Sequence, residues 1–332
     1  MVVSHKPKVS VIVPIYGVEC FIERCARSLM EQTLENIEYI FVDDASKDGS
    51  LDILRRVLTD YPQRADCVQI IVHKSNAGLP AARNTGLRAA SGDFVFHCDS
   101  DDFLELDALE LLYQQAMNTD ADIVWCDWFL TFATNERYMH EPSLDSSLGA
   151  LKAMLGGGMK YNVWNKLVRR SIYEEFNIIF PAGRSMGEDM TMLLLFAHAE
   201  KVCHLSKALY HYVKMNTGAI TNTISDKNYE ALKYNVERIS NALFDIYGNQ
   251  LQQEIAFLKL EAKFPLLIMS SDWALYKLWQ QWYPEANQYI LKNKSVSLRS
   301  RLVQYCAWHK MYWVVWLHYQ IVCRFIYGII FK

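Results

Sequence analysis

Asp99-Ser100-Asp101-Asp102 put three carboxylates within four residues, directly after the apolar run Phe94–Cys98 that reads as a buried strand. Like charges this close repel one another, and a cation among them offsets the cost. The simplest such cation is a hard divalent metal, which takes oxygen ligands and commonly holds substrate phosphates too. Strand C-termini are also where open α/β sheets bind ligands. The cluster therefore points to metal-assisted chemistry on a phosphorylated substrate.

Two other strand ends belong with it. The run Val9–Pro14 ends in Pro14-Ile15-Tyr16, and the run Ile37–Val42 ends in Asp43-Asp44-Ala45-Ser46. An aromatic ring beside a carboxylate suits a nucleobase, the ring stacking and the acid accepting from a ring N–H. A polar turn capping the next helix through Ser50 is the simpler reading, but it leaves two adjacent acids on an apolar strand unexplained. No G-x-G-x-x-G follows the first strand, and no G-x-x-x-x-G-K-[ST] occurs. Phosphate must then be held by metal and by Arg or Lys.

The elements that position these ends alternate. Helical spacing over Cys20–Gln32, Leu51–Tyr61 and Ala81–Ala90 separates apolar runs at 9–14, 37–42, 68–72 and 94–98, with a further strand at 121–126. Such an order implies an α/β fold, a mostly parallel central sheet with helices on both faces. Gly156-Gly157-Gly158 marks a loop, and beyond about Asp226 the pattern is helical throughout. The expected domains are residues 1–225, with a nucleotide-binding half at 1–102 and an acceptor half at 103–225, and a helical extension at 226–332.

With 332 residues, about half of them apolar and 21% charged, the chain is long enough for a large core and is not a disordered protein. Eight cysteines without a C-x-x-C pair read as reduced thiols in a cytosolic protein. Met1–Lys8 carries no secretory apolar region. The net charge of −3 divides unevenly: no acid follows Glu285, while seven basic residues do. That tail also holds Tyr305, Trp308, Tyr312, Trp313, Trp316, Tyr319, Phe325 and Tyr327. Its longest stretch without Lys or Arg, residues 311–323, is too short to span a bilayer. Basic and aromatic residues on one helix suit an anionic membrane surface; a terminal helix packed on the body, or a homodimer contact, is the alternative. A peripheral position on the inner face of the plasma membrane is expected, and no nucleic-acid partner.

Taken together, four ordered stretches resemble the family 2 glycosyltransferases, inverting enzymes of the GT-A fold. They are VSVIVPIYGVECFIERCARSLMEQT, IEYIFVDDASKDGS, NAGLPAARNTGL and SGDFVFHCDSDDFL. By that resemblance Pro14, Tyr16 and Asp44 form the base pocket, with Asn76 in the loop leading to Arg83, which lies near base and diphosphate. Asp99 faces the ribose, Asp101 holds Mn2+ or Mg2+, and Asp102 supports it or caps the next helix. Met186-Gly187-Glu188-Asp189-Met190 resembles the family's acid pair, making Asp189 the base and Glu188 its support; acids here also favour a helix dipole.

Two more segments resemble capsule and surface-polysaccharide members. Asn162-Val163-Trp164-Asn165-Lys166-Leu167 suggests an acceptor site where Trp164 stacks on a sugar. Tyr210-His211-Tyr212 through Thr221 matches a segment over the diphosphate, with Lys214 where Arg is usual and Ala219 where Ser is usual. Lys214 neutralises phosphate without a bidentate fork, and His211 reaches the metal or the diphosphate. Trp125, Asp127 and Trp128 are candidates for reading the sugar. The leading reading is a metal-dependent hexosyl transferase moving a sugar from a UDP-sugar to a glycan or lipid-linked acceptor. A non-catalytic scaffold and an Asp-based phosphatase compete with it; Phe103 stands where the phosphatase motif needs Thr or Val.

Overall fold

The computed structural model describes residues 6–215 and 226–330. Its first half keeps the expected alternation. It runs through β1 (Val9–Ile15), α1 (Ile22–Met30), β2 (Ile37–Asp43), α2 (Ser50–Leu58), β3 (Val68–Val72), α3 (Leu79–Ala89) and β4 (Phe94–His97). The rest of the sheet-forming part adds β5 (Phe103–Leu104), α4 (Ala108–Thr119), β6 (Ile123–Thr131), β7 (Glu136–Met139) and α5 (Ser147–Leu155). It closes with β8 (Lys166–Arg169), α6 (Arg170–Glu175), α7 (Thr191–His198) and β9 (Val202–Val213).

Among the described residues these strands form one sheet in the order β3-β2-β1-β4-β8-β6-β9-β5, with β7 on β6. The first four strands are parallel. Beyond them β8 runs antiparallel to both β4 and β6, and β6 is parallel to β9. β1 is buried throughout, paired at both edges and with α3 packed on it at Ile12, the setting that an apolar β-branched run suits. Pro14 is tolerated in so central a strand because the β1–β4 ladder ends at Ile12↔His97, so the missing N–H falls past it. α1 packs with Ile22, Cys25, Ala26 and Leu29 buried, the i, i+3, i+4, i+7 spacing of one helical face.

α3 lies against β1 so closely that a Cβ on Gly86 would come within 2.3 Å of the Ile12 side chain. The glycine sets the depth of the helix, and with it the position of Arg83 one turn earlier.

The chain divides into two compact units, one running to Gly149 and resuming from Tyr161 to Asn235, the other taking Ala150–Lys160 and Val236 onward. The boundary expected after residue 225 falls instead inside α8 (Asp226–Tyr247). The first turns of α8 belong with the sheet because Asn235 donates to the carbonyls of Arg184 and Met186. Residues 150–160 join the helical unit, where Asn293 donates to the Gly156 carbonyl.

That second unit is helical, as expected: α9 (Gln252–Lys263), α10 (Pro265–Ile268), α11 (Trp273–Gln281), α12 (Leu298–Trp308), α13 (Tyr312–His318) and a π-helical segment, Tyr319–Ile330. Lys263 is buried within it, held by the Trp282 carbonyl at 2.6 Å and Asn287 Oδ1 at 2.7 Å, and burial pushes its ammonium down to about 7.

Candidate active site

Every strand end flagged by composition lies on the sheet-bearing unit. Asp44, past the end of β2, is buried and organises the loop that starts α3. Its carboxylate accepts from the backbone N–H of Ala77 and of Gly78, both at 2.8 Å, and pairs with His73 Nδ1 at 2.7 Å. Gly78 adopts φ +88°, a conformation glycine takes without strain. Asp44 thus fixes the loop that leads into α3. Pro14 is buried, while Tyr16, with 52% of its surface exposed, and Asn76 face solvent.

The centre of the site is Arg83. It is only 1% exposed, yet its guanidinium reaches three carboxylates from two distant segments. Nη2 donates to Asp99 at 2.9 Å; Nη1 donates to Asp189 at 2.9 Å and to Glu188 at 3.2 Å. Burial opposes its charge, but Asp99, Asp189 and Glu188 outweigh that and raise its pKa. The expectation for Arg83, a side chain near base and diphosphate, is therefore refined: it is the cation that gathers the acids.

The acids differ from one another. Asp102 is buried, accepting from Tyr210 Oη and from the Val213 N–H, both at 2.7 Å. The same phenol accepts from the Asp99 N–H at 3.1 Å. Asp102 is therefore a tie between the acidic turn and β9 and not a helix cap. Burial, then Asp101 and Asp99, push its carboxyl well above the ordinary range. Glu188 is pushed up to about 8 by burial and by Asp189. Asp189 is raised by burial, with Arg83 pulling the other way. Its side chain is 28% exposed against 10% for Glu188, so Asp189 is the member of the pair a substrate can reach.

This donor set bears on the metal. Among the described residues no three His, Cys, Asp or Glu side chains converge to hold an ion unaided. Mg2+-type ions are commonly bound by one or two carboxylates with phosphates completing the shell. Hard carboxylate oxygens in excess over cations, at Asp99–Asp102, fit that partial shell.

Several expectations are corrected. His211 is stacked between Phe103 (4.1 Å) and Phe129 (4.7 Å), and its Nε2 and Nδ1 pair with Glu105 at 2.9 Å and Glu136 at 2.8 Å. Both ring nitrogens are engaged by these glutamates. Trp164 is 5% exposed and stacks on Tyr210 at 4.5 Å and Tyr212 at 5.4 Å, which makes it a core ring and not a sugar platform. Trp125, Asp127 and Trp128 lie within β6 and are buried; Asp127 accepts from Tyr138 Oη and the Glu141 N–H. Lys214 is exposed over the Tyr212 ring, 5.1 Å from its centroid. Gly218 to Thr221 lie outside the described residues. Tyr210 stood out in the sequence only as part of the segment over the diphosphate, not as the partner of Asp102, and Glu105 and Glu136 beside His211 were not foreseen.

The profile described as Glycosyl transferase family 2 matches residues 10–186, more than half of the chain. The chain belongs to glycosyl transferase family 2. Among curated relatives, the uncharacterized glycosyltransferase EpsJ of Bacillus subtilis (strain 168) is 34% identical over 224 residues, covering 65% of this chain; the match spans 63% of EpsJ's length. The structure of S. aureus TarS 1–349 in complex with UDP-GlcNAc superposes with a TM-score of 0.64 at 17% identity, covering 94% of this chain and 91% of that one. Mannosyltransferase PcManGT from Pyrobaculum calidifontis, in complex with GDP-Man and Mn2+, gives a TM-score of 0.56 at 18% identity, over 99% and 89%. These structures share the fold, a GT-A-like mixed sheet followed by helices.

Proposed function

We propose that this chain is an inverting, metal-dependent glycosyltransferase that moves a sugar from a UDP-sugar to a hydroxyl of a glycan or lipid-linked saccharide in surface-polysaccharide synthesis. The observation that carries the reading is Arg83, whose guanidinium joins Asp99 at the strand end to Asp189 before α7. Donor-side and acceptor-side acids thereby stand around one cation. TarS in complex with UDP-GlcNAc supports a UDP-sugar; the GDP-Man complex of the mannosyltransferase keeps GDP as the donor to test against it.

In this mechanism Tyr16 stacks on the base, and Asp44 holds the loop before α3 in place beneath it. Asp101, with Asp99, would hold the divalent ion. When bound, that ion offsets negative charge on the departing diphosphate as a Lewis acid. Asp189 removes the proton of the acceptor hydroxyl as its oxygen bonds to the anomeric carbon; the bond to the diphosphate breaks on the opposite face, inverting the centre. Glu188, its carboxyl pushed up to about 8 by burial and by Asp189, is the more enclosed of the two acids and does not compete as base. Arg83 keeps Asp189 in its charged form by ion pairing.

Calorimetric titration of UDP with Mn2+, repeated with excess chelator and then with GDP, tests this. Micromolar, chelator-sensitive UDP binding is expected; binding of GDP alone would transfer the donor assignment, and no nucleotide binding at all would overturn the reading.

A further inference from the structure

From Ala286 onward the chain holds seven basic residues and no acidic one. The structure shows how the described part of this tail presents itself. α13 packs within the helical unit through Val315, which is fully buried, and through Tyr312, whose ring meets Trp273 at 6.0 Å and Tyr276 at 5.9 Å. The other side faces solvent and is apolar: Trp313 is 63% exposed, and Trp316, Leu317, Ile321 and Phe325 are exposed with it. Their spacing, i, i+3, i+4, i+8 and i+12, lines one side of the continuous helical run from 312 to 330. The exposed cations Lys310 and Arg324 flank the stripe, and Lys292, Lys294 and Arg299 are exposed earlier in the same unit. Asp272, which precedes the Trp273 that Tyr312 meets, caps α11 by accepting from the Ala274 N–H.

Large aromatic side chains held in water by a helix that has a core of its own to pack against are costly unless something covers them. Among the described residues no helix is long and apolar enough to cross a membrane. We infer that the α13 stripe lies in the headgroup region of an anionic lipid surface, Trp313, Trp316, Leu317, Ile321 and Phe325 entering it and Lys310 and Arg324 meeting the phosphates. Charge complementarity selects this occupant over a second copy of the chain: apposing two such tails would bring like charges together. The inference needs neither donor nor acceptor, so it stands or falls independently of the transfer reading.

The test is co-sedimentation of the full chain with vesicles of phosphatidylcholine alone and of phosphatidylcholine with phosphatidylglycerol, alongside tryptophan emission. Binding to the anionic vesicles, a blue shift and weakening by salt are expected. Lys310→Gln and Arg324→Gln should each lower partitioning about fivefold, and Trp313→Ser with Phe325→Ser more than about tenfold. These sites are exposed, and circular dichroism checks that the variants fold. Absence of anionic-vesicle binding, with concentration-dependent dimers in sedimentation velocity that the Trp313→Ser variant abolishes, would show a contact between copies and overturn the inference. Binding unaffected by all four substitutions would overturn it equally.

Discussion

Arg83 Nη1 donates to Asp189 at 2.9 Å while Nη2 of the same guanidinium donates to Asp99, also at 2.9 Å. A planar fork reaches carboxylates on different elements from two separate nitrogens, where an ammonium has only one point from which to donate. Arg83→Gln leaves Asp99, Glu188 and Asp189 gathered without their cation, and a loss of about 3–5 kcal/mol is expected, as when one partner leaves a buried ion pair. Arg83→Lys should fall between that variant and the parent. Urea unfolding of the three proteins reads this directly, and equal midpoints would mean that the pairs contribute nothing.

Asp189 carries the proton transfer in the proposed mechanism. Asp189→Asn should lower kcat by about 10²–10⁴-fold while UDP affinity stays at the parent value, because the group touches the acceptor and not the nucleotide. The raised pKa of Asp189 also places the acid limb of kcat/KM above the ordinary carboxylate range. Arg83 works against that raise, so Arg83→Lys, with its poorer pairing, should move the limb to higher pH. A limb that stays in place would separate Arg83 from the ionisation of the base.

Glu188 makes a claim on stability. Its carboxyl is raised from 4.5 to about 8, chiefly by burial and then by Asp189. The native state therefore keeps a proton that the unfolded chain has already released. Stability from this group is complete below the unfolded value and is lost as pH rises toward about 8. Glu188→Gln, neutral at every pH, should flatten that decline. Chemical denaturation at intervals between those two pH values compares the slopes; parallel curves for parent and variant would contradict the assignment.

Legibility followed the density of local signal. β1 to β4 could be read because each is an apolar run bounded by turn residues, and the acidic turn because three carboxylates fall within four positions. β8 is four residues long, with Arg169 at its end, and reads as nothing by itself. β9 carries exposed Ser206 and Lys207 in mid-strand, where its register with β6 shifts around Asp127, so the alternation breaks. β8, antiparallel to both of its neighbours, follows no βαβ pattern. Arg83 could be picked out only by resemblance, since its partners Glu188 and Asp189 lie 105 and 106 residues away. The burial of Trp164 and the pairing of His211 depend on the same long-range strand order, which explains why a stacking ring and a metal ligand were expected there.

The last contrast separates two neighbours that sequence alone treats alike. Asp101 and Asp102 are adjacent acids in the same turn, but Asp102 is consumed by Tyr210 Oη and the Val213 N–H. Burial and its acidic neighbours raise its carboxyl well above the ordinary range, and an amide in its place keeps an oxygen for only one of those two donors. Asp102→Asn should change unfolding stability by about 1 kcal/mol, the net worth of one hydrogen bond, and leave Mn2+-dependent UDP binding in place. Asp101→Asn should do the reverse, folding normally while losing at least the roughly 10–100-fold that even outer partners of metal ligands contribute. Titrating UDP into both variants, with Mn2+ and with chelator, distinguishes them. Were Asp102→Asn to abolish metal-dependent binding while Asp101→Asn kept it, the ion would belong to the buried carboxylate, and the tie to β9 would have to be the metal site itself.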